Sequence, residues 1–459
     1  MMKPNSPSSD FPIGAYTGVI EGFYGRPWTL SQRRDLCARL SKCGLNSYLY
    51  APKDDLLHRA AWQAQYQGDA AQELRSLVQG CRNQGIRFIY GLAPGLKADA
   101  SPSGMERSIM AKLQHLHQLG CKNFALMFDD IPAQGFRQHL RRYGSWAGAH
   151  IAWTHLAQEH LKRIDPSVRF LFCPTPYCGG FSGAVETNSY LLEVGDKLAP
   201  EVDVFWTGRD IVSEIISPGE VQKLARVIRR PPVIWDNLFA NDYDLRRLYL
   251  GQYEGRDHAL KRTTNGILIN PNCEYPANFI PIHSFSEFIT RSGGKSGNSY
   301  ERALKAWRPH FRTRDGKLPA LHALRCLVDA LYLPFSQGAT ADQALSDIDQ
   351  ALSTTGRQSK ALKRFRRHAR VMMDWQSHIA ELEDRDLAYA LYRHVWEIKE
   401  EFDLLTRYFN FTTIQGTKPS KFRSMFHRPG TYRGGYASRL QSRLILRSDG
   451  GFDARKRLK

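Results

Sequence analysis

Two neighbouring carboxylates, Asp129 and Asp130, directly follow the apolar run PheAlaLeuMetPhe (124–128), so both stand at the lip of one strand. Crowded carboxyl groups push their pKa values apart, which lets one act as an acid while the other stays ionised. A lone Asp after a strand is more simply a cap for the next helix, but two in succession point to chemistry. A metal site is a third reading, yet no His accompanies them at ligand spacing. Other apolar runs end in similar residues: GluGlyPheTyrGlyArg (21–26), AlaProLysAspAsp (51–55), CysProThrProTyr (173–177), TrpThrGly (206–208), TrpAspAsn (235–237) and AsnProAsnCysGlu (270–274). Carboxylates, amides, a lysine and aromatics together are the inventory of a carbohydrate site.

Adjacency restricts the reaction. A retaining glycosidase of the usual kind places an acid and a nucleophile about 5 Å apart on opposite sides of the sugar. Neighbours on one strand are poorly placed for that. They serve if the nucleophile belongs to the substrate: an N-acetyl group at C2 attacks the anomeric carbon, one Asp orients the amide, and the other protonates the leaving oxygen.

The runs that must position these residues are Tyr16–Glu21, Ser47–Tyr50, Arg87–Tyr90, Phe124–Phe128, Phe170–Phe172, Val202–Trp206, Val233–Trp235 and Gly266–Ile269, with helical patterns between them. Each run is nearly continuous in apolar residues, as for strands covered on both faces of a parallel sheet. Eight such units of roughly 34 residues predict a (β/α)8 barrel over 14–291, whose active site lies at the C-terminal ends of the strands. A doubly wound open sheet is the alternative, but no GxGxxG follows the first run. The stretch 292–299, SerGlyGlyLysSerGlyAsnSer, reads as a linker. An all-α domain follows over 300–412, with apolar residues at helical spacing from Leu362 to Leu382 and from Leu391 to Phe409, a hairpin turning near Glu383–Arg385. The polar segment 1–13 is expected to be disordered, and 415–459 to be a flexible basic tail.

The chain has 459 residues and a net charge of +19, and its composition is that of a folded protein rather than a disordered, collagenous or disulfide-stapled one. Twelve Lys and Arg against Asp449 and Asp453 place about half of that charge in 415–459. Eight cysteines form no CxxC pair and read as buried free thiols; with no apolar leader and no membrane-length apolar run, a cytoplasmic setting is expected.

The motifs GlyValIleGluGlyPheTyrGlyArgProTrp (18–28), TyrAlaProLysAspAsp (50–55), PheAlaLeuMetPheAspAspIlePro (124–132), ValIleTrpAspAsnLeuPheAlaAsnAspTyrAsp (233–244) and AsnProAsnCysGlu (270–274) resemble glycoside hydrolase family 84. That family holds the protein O-GlcNAcases and the hyaluronidase-like β-N-acetylglucosaminidases. The resemblance implies that Asp129 orients the acetamido group and Asp130 is the general acid and then the base. It implies further that Tyr177 and Asn237 contact the acetamido group, that Cys173 and Trp235 line the pocket for its methyl, and that Gly22, Lys53, Asp242 and Asn272 hold sugar hydroxyls, with Tyr24 near the site. It implies no cofactor and no metal. Pro176 departs from several relatives, which carry an acid there.

The expected activity is a retaining exo-β-N-acetylglucosaminidase acting by substrate assistance, on O-GlcNAc of protein Ser or Thr. An alternative within the class is action on GlcNAc-containing glycan fragments from chitin, cell wall or hyaluronan. A reading of another class is a nucleic-acid-associated protein, in which Phe422, Phe426, Tyr432 and Tyr436 interleave with the basic residues of the tail; a solvated extension is the plainer account of the same residues. The helical domain is a candidate for either a peptide cleft or a homodimer contact.

Overall fold

The computed structural model describes residues 14–97, 101–131, 137–291, 299–353, 359–414, 417–424, 432 and 434–455. Eight parallel strands close into a barrel in chain order: β1 (Tyr16–Glu21), β2 (Ser47–Tyr50), β3 (Arg87–Leu92), β4 (Asn123–Met127), β5 (Arg169–Cys173), β6 (Asp203–Trp206), β7 (Val233–Asp236) and β8 (Gly266–Ile269). The barrel closes where β1 pairs with β8, Tyr16 opposite Gly266 and Val19 opposite Ile269. Gly266 has φ +137°, and a Cβ there would lie 2.1 Å from the Tyr16 carbonyl oxygen, so only glycine lets the seam form.

Along each strand alternate residues fill the interior: Ile20 on β1, Leu49 on β2, Ile89 on β3, Ala125 and Met127 on β4, Leu171 and Cys173 on β5, Phe205 on β6, Val233 and Trp235 on β7, and Leu268 on β8. Residues of the other parity, among them Val19, Tyr48, Phe124, Phe170, Ile234 and Ile267, are buried as well. Burial on both faces is why the runs read as continuous rather than alternating. Two wholly buried carboxylates at strand ends are neutralised: Glu21 by Arg33 (2.7 Å) and Asp236 by Arg256 (2.6 Å). Removing one partner of such a pair strands a charge out of water, which costs about 3–5 kcal/mol.

The chain divides into two compact units, the first comprising Met1–Asp242, Tyr253–Tyr275 and Phe285–Lys295, the second Tyr243–Gln252, Pro276–Ser284 and Ser296–Lys459. The second unit is helical. Its centre is the pair of helices Lys360–Ala380 and Arg385–Thr412, whose apolar stripes bury Phe365, Met372, Trp375, Leu391, Ile398, Phe402 and Leu405. Asp384 caps the second helix by accepting from the Leu387 N–H at 2.9 Å. Leu248, Leu250, Ala277 and Ile280 join this core, so two segments that the sequence assigns to the continuous barrel stretch are grouped by contact with the helices.

The described part of 415–459 also differs from the expected flexible tail. It contains a helix, Gly435–Gln441, and an antiparallel pair, Leu444–Leu446 with Phe452–Ala454, and it buries Phe422, Tyr436, Leu440, Leu444 and Phe452 in the helical core. Tyr436, Leu440 and Leu444 are spaced by four, but the run is too short and too rich in Arg to stand out in the sequence; burying such side chains stabilises by about 1.5–3 kcal/mol each. The expected disordered 1–13 and, apart from Ser299, the expected linker lie outside the described residues.

Candidate active site

The alternation that fills the barrel also aims the site. Gly22 follows Ile20 at the interior parity, Lys53 follows Ala51, Asp129 follows Met127, and Asn237 follows Trp235. Each extends an inward-facing row by two residues into the mouth.

At the floor, Lys53 Nζ donates to Asp129 Oδ2. The pair is buried, with side-chain exposures of 3% and 9%. Burial alone would raise the Asp129 pKa, but the charge and hydrogen bond of Lys53, with Arg59 beyond, outweigh it and hold the carboxyl below its usual value. Burial would likewise deprotonate Lys53, and Asp129 and Asp130 oppose that, so the ammonium pKa is raised. Asp129 Oδ1 is buried and has no hydrogen-bond partner among the described residues.

Asp130 resolves the difficulty that adjacency posed. Successive residues of a strand face opposite sides, so Asp130 would turn away from the mouth. It instead has φ +49°, a left-handed backbone that Asp adopts more readily than most residues, and it is exposed. Its carboxylate accepts from Tyr24 Oη (3.0 Å) and from Tyr177 Oη (2.9 Å). Tyr24 and Tyr177 thereby tie the Asp130 carboxylate to the loops that follow β1 and β5 at the barrel mouth.

The pocket wall is aromatic. Trp235 is 5% exposed, its ring lies 5.9 Å from Lys53 Nζ, and its Nε1 donates to Asn237 Oδ1 at 2.9 Å. Asn237 is fixed further by Asn270 Nδ2 (2.9 Å) and by its own bond to the Ile211 carbonyl (2.8 Å). A Cβ on Gly22 would lie 2.5 Å from the Trp235 ring, so glycine is required beside it. Cys173 is buried in the same interior cluster as Tyr177 and Trp235, and burial pushes its thiol pKa up, away from nucleophilic use. Asp242 accepts from the Tyr24 N–H (2.9 Å), and burial raises its carboxyl pKa. Asn272 is wholly buried beyond β8, next to Cys273, whose Sγ lies 3.5 Å from the Tyr24 carbonyl oxygen.

Three contributors lay outside the sequence-based set. Arg59, 7% exposed, donates to Tyr24 Oη and, at 3.0 Å, to the Asp130 carbonyl. Asp54 accepts from the Gly25 N–H (3.0 Å) and so braces the loop that carries Tyr24. His58, wholly buried, lies 2.7 Å from the Gly91 carbonyl through Nδ1, and burial lowers its pKa to about 4. Asp54 lies within the quoted AlaProLysAspAsp (51–55), whereas nothing in the types or spacing of LeuLeuHisArgAla (56–60) marks His58 and Arg59. Among the described residues no group of three His, Cys, Asp or Glu is placed to hold a metal ion.

Comparison with known proteins bears on the family and the fold. A family profile described as beta-N-acetylglucosaminidase matches residues 17–327. The chain is 43% identical over 270 residues to the protein O-GlcNAcases of Rattus norvegicus and Mus musculus, a match covering 59% of this chain and 29% of each relative. The chain therefore spans less than a third of the length of those relatives. In fold it is similar to a mutant O-GlcNAc hydrolase from Thermobaculum terrenum, with TM-score 0.76 and 23% identity over 87% of this chain and 84% of that one. With a family profile covering the whole barrel and beyond, the chain belongs to the β-N-acetylglucosaminidase family.

Proposed function

We propose that the protein is a retaining exo-β-N-acetylglucosaminidase that removes terminal β-linked GlcNAc by substrate assistance, with O-GlcNAc on Ser or Thr of proteins as its natural substrate. The observation that carries this reading is the state of Asp129: one oxygen is held by Lys53, and the other is a buried acceptor with no partner among the described residues. A buried, unsatisfied acceptor costs about 1–3 kcal/mol until a ligand donor reaches it. The N–H of a 2-acetamido group is such a donor, and the bond aims the amide oxygen at the anomeric carbon.

In the first half-reaction the amide oxygen attacks C1, and the ionised Asp129 stabilises the positive charge that develops on the oxazoline ring. Asp130 gives its proton to the departing oxygen. In the second half Asp130 takes a proton from water, which opens the oxazoline from the opposite face. Two inversions give net retention. Trp235 and Cys173 supply an apolar wall for the acetyl methyl, and Tyr24 and Tyr177 hold the Asp130 carboxylate.

A protein-borne substrate is supported by the names of the relatives at 43% identity. No helix among the described residues is long and apolar enough to cross a membrane, and all eight cysteines are free, six of them buried, which supports a reducing, cytoplasmic setting. The test is hydrolysis of a chromogenic β-GlcNAc glycoside beside the matching β-glucoside, then of an O-GlcNAc peptide beside a chitin disaccharide. Turnover of the GlcNAc substrates alone, with the peptide favoured, is the expected result. Equal turnover of the β-glucoside would sink substrate assistance, and preference for the disaccharide would move the natural substrate to glycans.

A further inference from the structure

We propose that Arg59 is a positioning residue for Asp130, an inference that rests on the catalytic reading above. Asp130 reaches the mouth only through its left-handed backbone (φ +49°), a conformation that costs a non-glycine residue free energy and that the surroundings must hold in place. Arg59 grips Asp130 at both ends. One guanidinium nitrogen donates to the Asp130 carbonyl at 3.0 Å, fixing the peptide plane at the turn. The other donates to Tyr24 Oη, and that same hydroxyl donates to Asp130 Oδ2 at 3.0 Å. The guanidinium also lies over the Tyr24 ring, 5.2 Å from its centroid.

The chemistry of the chain follows from its order. A hydroxyl that accepts from a cation is a stronger donor to its next partner, so Arg59 tightens the Tyr24 bond to the carboxylate. The two donated bonds need a planar fork, and a lysine ammonium supplies one point charge instead. Arg59 is 7% exposed. Its hydrogen bonds go to Tyr24 and to the backbone of Asp130, so it touches Asp130 directly and reaches Asp129 only through its charge, behind that of Lys53.

The experiment compares Arg59→Met and Arg59→Lys with the unaltered protein through kcat/KM for aryl β-GlcNAc glycosides of poor and of activated leaving groups. Because Asp130 is needed in the first half-reaction only where the leaving group requires a proton, both variants should lose about 10- to 100-fold on the poor leaving group and less than about threefold on the activated one. Adding Arg59→Met to Asp130→Asn should cost less than about threefold more, since the residue to be positioned is already disabled. Equal losses on both leaving groups would assign Arg59 to the floor of the site or to folding, and would overturn the proposal. So would an additive loss in the Asp130→Asn background, or failure of both variants to bind an oxazoline-mimicking thiazoline. Absence of turnover by the unaltered protein would instead overturn the catalytic reading itself.

Discussion

Lys53 and Asp129 form a buried ion pair in which, among the described residues, only one carboxylate oxygen is engaged, so the lysine sets the charge of the aspartate and leaves its other oxygen without a donor. The resemblance assigns Lys53 to sugar hydroxyls. An ammonium carries three donors, and the contact with Asp129 uses one.

Removing that charge has a predictable sign. Burial raises the Asp129 pKa and Lys53 lowers it, the second effect prevailing. In Lys53→Met burial acts with much less opposition, so the acidic limb of the kcat/KM profile should move to higher pH, and activity at neutral pH should fall about 10- to 100-fold. A profile unchanged in its acidic limb would separate Lys53 from the ionisation of Asp129.

The two aspartates should respond differently to amide replacement. Asp130→Asn loses most turnover on poor leaving groups and much less on activated ones, because the lost acid step matters only for the former; the expected range for a lost acid is about 10²- to 10⁴-fold. Asp129→Asn depresses every substrate, since the internal nucleophile is no longer oriented. A leaving-group series read as kcat/KM checks both.

Gly22 offers a steric test. In Gly22→Ala the new methyl would meet the Trp235 ring at 2.5 Å and Ile20 Cγ2 at 2.7 Å, so the pocket wall must shift. The cost should be about 1–3 kcal/mol of stability and at least a tenfold rise in KM, by the magnitudes of overpacked cores and displaced site groups. Thermal unfolding and Michaelis kinetics report the two effects separately.

In the helical unit, burial raises the Glu401 pKa to about 7, with Glu400 adding to it and the Tyr432 hydroxyl, donating at 3.2 Å, opposing it. A folded-state pKa above the unfolded value means that this contribution is fully present below the ordinary carboxyl range and is lost as pH rises through about 7. The difference amounts to about 3 kcal/mol. Glu401→Gln should therefore flatten the fall in Tm between pH 5 and 9, and an unchanged slope would place its origin elsewhere.

Much of this architecture is legible in the chain because burial is periodic. The barrel strands are continuous apolar runs, and three of them, Tyr16–Glu21, Ser47–Tyr50 and Gly266–Ile269, begin and end where the sequence reading puts them. The site residues that extend inward rows, such as Lys53, Asp129 and Asn237, are findable by the same parity. Asp130 escapes that logic, since only a left-handed φ brings it back to the mouth, and Arg59 escapes it because it acts from a turn with no period at all. The described C-terminal residues escape it because Phe422, Tyr436 and Phe452 are buried in or beside elements of seven residues or fewer, too short to show a period against so many charges.

The central claim is that the nucleophile is the substrate's own amide, oriented by Asp129. It is tested most directly by kcat/KM across aryl β-glycosides whose N-acetyl group carries zero, one, two or three fluorines, because each fluorine withdraws electrons from the attacking oxygen. The account predicts a steep, monotonic fall along the series. Rates that stay level would mean that the attacking group belongs to the protein.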